Sequence, residues 1–275
     1  MRVFRGTVLL VLVMTLLVSC SSGEGEQGGP SEPAPDITLE SLGLDWDTSG
    51  QLPRVDPPET PAGMTQGVYD ALIDTLREWA TASTIQPRVW TAEDPLPMVV
   101  DAISQQDLAR LLVQVLGDTD SFAPRLLAAN RIPPDVTVIG DPAVAVRWNV
   151  GPVTLSDGAA AVEVMLQTLA AYEVQLDDGT QRVVGMVRNH VFRQKEGDEG
   201  KVSVAVRWQE FGADNCALRD EDALRPDADI DLAIKDLDDL VEIADSDRPH
   251  DMDEVDGYDI GSDDYAEKCS TDPEG

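Results

Sequence analysis

The hydrophobic positions change period once along the chain. Between Met64 and Pro134 the apolar residues recur at helical spacing. Val68, Leu72, Leu76 and Trp79, with Ile73 and Ala80 beside them, predict an amphipathic helix that Thr65 is placed to cap. Pro87, Pro95 and Pro97 then mark a loop carrying Trp90. Leu108, Leu111, Leu112, Val115 and Leu116 form the apolar face of a second helix, with Ser104-Gln105-Gln106-Asp107 as its capping box and Gly117 as its stop. A short third helix covers Ser121 to Asn130, with Pro124 in its first turn, and Pro133-Pro134 ends the region.

From Val136 the period is two. Val144, Val146, Trp148 and Val150 alternate with Ala143, Ala145, Arg147 and Asn149. A longer run alternates from Val162 to Leu176, Asp178-Gly179 signals a hairpin, and Arg182 to Gln194 is the return strand. Glu196 to Gly200 is a second turn before a strand over Lys201 to Phe211. The pentapeptide Val144-Ala145-Val146-Arg147-Trp148 recurs as Val204-Ala205-Val206-Arg207-Trp208. Both copies place valine and tryptophan on one side and arginine on the other, as two strands of one sheet facing the same core do. Helices followed by a meander of long antiparallel strands are the pattern of an α+β domain, with the N-terminal helices packed on a curved sheet.

The last segment is different in charge. Residues 214–275 hold 23 Asp and Glu against five Lys and Arg. Within it Ile230, Ala233, Ile234, Leu237, Leu240, Val241 and Ala244 keep helical spacing, so one amphipathic helix should pack back on the domain. At the other end, Arg2 and Arg5 precede an apolar run from Val8 to Val18, broken only by Thr15. Eleven residues span roughly 16 Å, about half a bilayer core, which suits a secretory signal rather than a spanning helix. The run ends in Leu17-Val18-Ser19-Cys20, which resembles the bacterial lipobox. That resemblance implies cleavage before Cys20, diacylation of its thiol and retention on the extracytoplasmic face of the cell membrane. The expected organisation is a signal peptide at 1–19, a flexible tether at 20–60 rich in Ser, Gly, Glu and Pro, an α+β domain at 61–213 and the acidic segment at 214–275.

The chain carries three cysteines. With Cys20 lipidated, Cys216 and Cys269 form an even pair in an oxidising compartment, and a disulfide is expected. It closes a loop of about fifty residues, worth roughly 4 kcal/mol on the chain-entropy account. The formal net charge of −32 argues against nucleic acid as a partner and for cationic partners or metal ions.

The order and lengths of the elements over Met64 to Phe211 resemble the cone-shaped nuclear transport factor two-like (SnoaL-like) fold. Members of that family enclose a cavity between helices and sheet, and use it variously for binding or for His/Asp catalysis. The resemblance implies a cavity lined from the sheet, for which Arg147, Arg188 and Arg207 are candidate ligand-binding residues. The alternative role for these arginines is cross-strand pairing with Glu163 and Glu173. His190 is the candidate catalytic group, with no sequence partner that marks a dyad. Asp251, Asp253, Asp256 and Asp259 are candidate ligands for Ca²⁺, although the spacing departs from an EF-hand: Val255 stands at the fifth position and Ser262 at the twelfth. No other cofactor is implied. G-x-S-x-G, H-E-x-x-H, a phosphate-binding glycine loop and C-x-x-C are all absent from the sequence. The chain thus reads as a membrane-anchored, extracytoplasmic lipoprotein acting as a non-enzymatic module that binds a small ligand or an envelope protein. An enzyme using His190 with a cavity acid, and a Ca²⁺-dependent acidic surface protein, are the alternatives.

Overall fold

The computed structural model describes residues 35–117, 124–197 and 201–252. They belong to the larger of two compact units, which starts at Ala34. The fold is α+β, with an open antiparallel sheet of five strands between two groups of helices. Among the described residues six helices come first: α1 (Leu39–Leu42), α2 (Gln66–Ile85), α3 (Pro87–Trp90), α4 (Leu96–Asp101), α5 (Gln106–Leu116) and α6 (Pro124–Ala128). The strands are β1 (Thr137–Val138), β2 (Ala143–Thr154), β3 (Ala160–Gln175), β4 (Gln181–Lys195) and β5 (Val202–Phe211). Helices α7 (Asn215–Glu221) and α8 (Ile230–Asp245) follow.

Helix α2 starts where its sequence signals, with the Thr65 hydroxyl accepting the Val68 N–H. It ends at Ile85 because Gln86 precedes Pro87, whose ring disfavours helical backbone in the residue before it. The stretch expected as a proline-marked loop contains α3 and α4 instead. Pro87 and Pro97 stand in their first turns, where a missing N–H leaves nothing unpaired. The capping box expected at Ser104 does not form. The Ser104 N–H is tied to the Glu78 carboxylate of α2 at 2.8 Å, so α5 begins later, behind Gln105, which makes no side-chain cap bond.

Strands β3 and β4 form the middle of the sheet. β2 pairs with β3 from Ala143↔Ala171 to Thr154↔Ala160, β1 continues the same edge at Thr137↔Gln175, and β5 pairs with β4. At the β3–β4 hairpin Gly179 takes φ +86° and the Asp178 carboxylate accepts the Thr180 N–H. The register assigns the faces. Even-numbered residues of all four long strands share one face, and α2, α5 and α6 pack against it. Both copies of the repeated pentapeptide place their valines and tryptophan there. Trp79, Trp90, Tyr172 and Phe192, all fully buried, fill the space between helices and sheet.

The odd-numbered face carries a smaller core of Leu169, Ala171, Val183, Val187 and Phe211, closed by Leu237 and Leu240 of α8. Gly185 makes room for this helix, since a Cβ there would overlap the Leu240 Cδ2. Residues 21–34 of the expected tether lie outside the described residues. Residues 35–60 lie along the domain, because their backbone finds partners there. The Ile37 N–H bonds the Gln181 carbonyl at 3.0 Å, Asp47 bridges to Val144, and the Val55 carbonyl accepts the Trp148 indole N–H at 3.0 Å.

Candidate functional site

The residues singled out from sequence divide between the two faces. Arg188 and His190 are even-numbered and fully buried under α2. Arg188 donates from Nε to the Asn130 Oδ1 at 2.9 Å, and from its two terminal nitrogens to the Leu127 and Leu126 carbonyls at 3.1 and 2.5 Å. Those carbonyls belong to the last turn of α6, which has no intrahelical donors to offer them. Asn130 in turn donates to the Tyr172 hydroxyl at 2.8 Å, and that hydroxyl donates to the Thr84 carbonyl at 2.8 Å. Burial lowers the pKa of Arg188 to about 9, so it remains a cation at neutral pH.

His190 lies between Leu166 and the end of α2. Its Nδ1 faces the Leu166 carbonyl at 3.2 Å, which makes Nδ1 the donor and Nε2 the acceptor. The Ser83 Oγ lies 3.0 Å from Nε2, and Trp79 meets the ring edge-on at 4.7 Å between centroids. Burial, and then the charge of Arg188, hold the imidazole well below its ordinary pKa. A serine hydroxyl on a neutral imidazole is the first half of a nucleophilic pair. Here a backbone carbonyl stands where a carboxylate would orient the ring, and both side chains are sealed from solvent.

Arg147 and Arg207 lie on the other face. Arg147 donates to the Ile243, Ala244 and Arg248 carbonyls at 3.0, 2.7 and 3.2 Å, and so caps the C-terminal end of α8. Arg131, unremarked in the sequence, does the same for α7 through the Glu221 and Asp222 carbonyls. Arg207 stands opposite Asn189 on β5 and is likewise partnered. The pairing expected for Glu163 falls to Arg193, its direct cross-strand neighbour at 2.8 Å. Glu173 instead accepts the Leu39 N–H at the start of α1.

Beside Arg147 the fully buried Gln167 amide holds the main chain of His250 at two points. Its Oε1 accepts the His250 N–H and its Nε2 donates to the His250 carbonyl, both at 2.9 Å. The His250 Nε2 lies 3.1 Å from the Gln209 Oε1. This strip is a clasp for the chain's own segment after α8. On the helical side, a cleft of about 550 Å³ is lined by Glu93, Asp94, Leu96, Leu116, Arg125 and Asp222.

Cys216 lies in the first turn of α7, behind the Asp214 cap. Cys20, Cys269, Asp253, Asp256 and Asp259 lie outside the described residues; Asp251 lies within them and is partnered. Among the described residues no group of three or more His, Cys, Asp and Glu is arranged to hold a metal ion, and no helix is long and apolar enough to cross a membrane. Sequence reasoning missed Ser83, Asn130, Thr168 and Tyr172. Ser83 had a signal, because it continues the stripe Leu76, Trp79, Ala80 at i+7 and is therefore a polar residue on an apolar face. No protein-family model, curated protein or solved structure matches the chain.

Proposed function

We propose that the chain is an extracytoplasmic lipoprotein, anchored through diacylated Cys20, that acts as a non-enzymatic protein-interaction module of the cell envelope. The observation that carries this reading over a cavity-based one is the filling of the helix–sheet interface. Where the cone-shaped family would hold a ligand, Trp79, Trp90, Tyr172 and Phe192 are fully buried. Arg147 and Arg188, the candidate ligand anchors, bond to carbonyls at helix ends. What remains for recognition is a strongly acidic exterior, which suits a cationic partner surface. Cys216 and Cys269 form the disulfide that holds the acidic segment to the domain. Native mass spectrometry of the full chain, purified without chelator, tests the reading. A diacyl mass on the wild type, absent from Cys20→Ala, and no organic or calcium adduct is the expected result. A small organic adduct overturns the interaction reading in favour of ligand binding, and bound Ca²⁺ directs attention to Asp251, Asp253, Asp256 and Asp259.

A second reading rests on the 3.0 Å approach of Ser83 to His190. If the core opens, this pair is an acyl-transfer nucleophile and base. Labelling of Ser83 by a fluorophosphonate, lost in His190→Ala, would establish it; an unlabelled protein removes it.

A further inference from the structure

We propose that the core beneath α2 holds a small inorganic monoanion, such as chloride, between Arg188 and Thr168. Arg188 is a cation with no exposed surface, and its acceptors are the Asn130 amide oxygen and two carbonyls. All three are neutral. Those bonds use three of its five N–H groups, and no carboxylate among the described residues pairs with it. A buried guanidinium without a counter-charge is among the costliest arrangements a core can contain, because desolvation is met by dipoles alone. The partial negative charge at the end of α6 offsets only part of it, since that helix has five residues.

Thr168 supplies the second wall. It is the direct cross-strand partner of Arg188 and lies on the same face, so the two Cβ atoms are about 5 Å apart. Its hydroxyl is buried and has no hydrogen-bond partner. The same is true of the Thr84 hydroxyl, whose residue is joined to Arg188 through Tyr172 and Asn130. The unpaired Thr168 hydroxyl, on the strand neighbour of a cation with no counter-charge, calls for an acceptor that is small, spherical and negative.

The melting temperature of the full chain, at constant ionic strength, with sodium chloride progressively replacing sodium gluconate, tests this. The expected result is a saturable rise with chloride and none with gluconate. Thr168→Val keeps the shape and removes the hydroxyl, so it should flatten the chloride dependence while melting in gluconate at or above the wild type. Arg188→Met should abolish the dependence if it folds; the Thr168→Val arm decides the question if it does not. Equal melting in the two salts overturns the proposal, as does a chloride dependence that Thr168→Val leaves intact, which would place the ion elsewhere.

Discussion

At the scale of single residues, three cations of this acidic chain act as caps. Arg188, Arg131 and Arg147 each reach from a distant part of the sequence to the carbonyl end of a helix: α6, α7 and α8. Helix α8 ends in Asp245 and has no basic residue in its last turn, so the charge that complements its dipole comes from β2. Arg147→Met should cost about 1–3 kcal/mol in urea unfolding, because three carbonyls lose charged donors. The loss should be accompanied by faster amide exchange in the last turn of α8. Two other residues set the response to pH, in opposite directions. Burial pushes the Glu210 carboxyl up to about 7, helped by the charge of Asp236. Between its ordinary pKa and 7 the folded state therefore binds more protons than the unfolded state, and this group's contribution to stability falls as pH rises. Glu210→Gln should raise the melting temperature at pH 8, with the gain disappearing towards pH 4.5. His190 works the other way. Its folded pKa is lowered, so the unfolded state takes up the proton first, and stability falls as pH drops below about 6.5. A His190→Asn variant that still folds should lose less stability than the wild type between pH 6.5 and 5.

At the scale of elements, the contact between α8 and the sheet depends on a missing side chain. Leu240 occupies the dent left by Gly185. Gly185→Ala should destabilise by about 1–3 kcal/mol through overpacking, and Leu240→Ala by about 2–5 kcal/mol through the cavity it leaves. The double variant should cost less than the sum, because each change relieves the other; strict additivity in chemical denaturation would show that the two residues do not meet. This contact also marks the limit of what the sequence discloses. The elements were legible: α2, α5, the four long strands and α8 all follow from apolar period, and the repeated Val-Ala-Val-Arg-Trp sides with the same core in both copies. The placement of polar groups was not. A strand period says that Arg147 and Val146 face opposite ways. It does not say which helix end lies above the arginine, because that depends on a chain segment about a hundred residues away. The same gap hid the partners of His190, since Ser83 and Leu166 meet it only through the packing of α2 on β3 and β4. The Ser104 capping box failed for a related reason, a long-range bond to Glu78 overriding a local preference.

At the scale of the whole molecule, the described segments that precede α2 and follow β5 both lie on one sheet. Ile37 and Asp47 pair with the backbone of β4 and β2, while α8 and the segment after it lie on the odd-numbered face. A disulfide between Cys216 and Cys269 would extend that packing into the acidic segment. Reduction should then lower the melting temperature, and Cys216→Ser should match Cys269→Ser within error, with neither responding further to reductant. The bidentate grip of Gln167 on His250 has a consequence for assembly. Gln167 reaches the terminal segment only if β3 presents its odd-numbered residues to that face. A slip of one residue in strand pairing turns the amide into the opposite core. The segment that follows α8 therefore acts as a read-out of correct pairing, secured only after the strands have found their alignment. A refolding chain trapped in a shifted sheet would leave the segment around His250 open to proteases, and a correctly paired one would not.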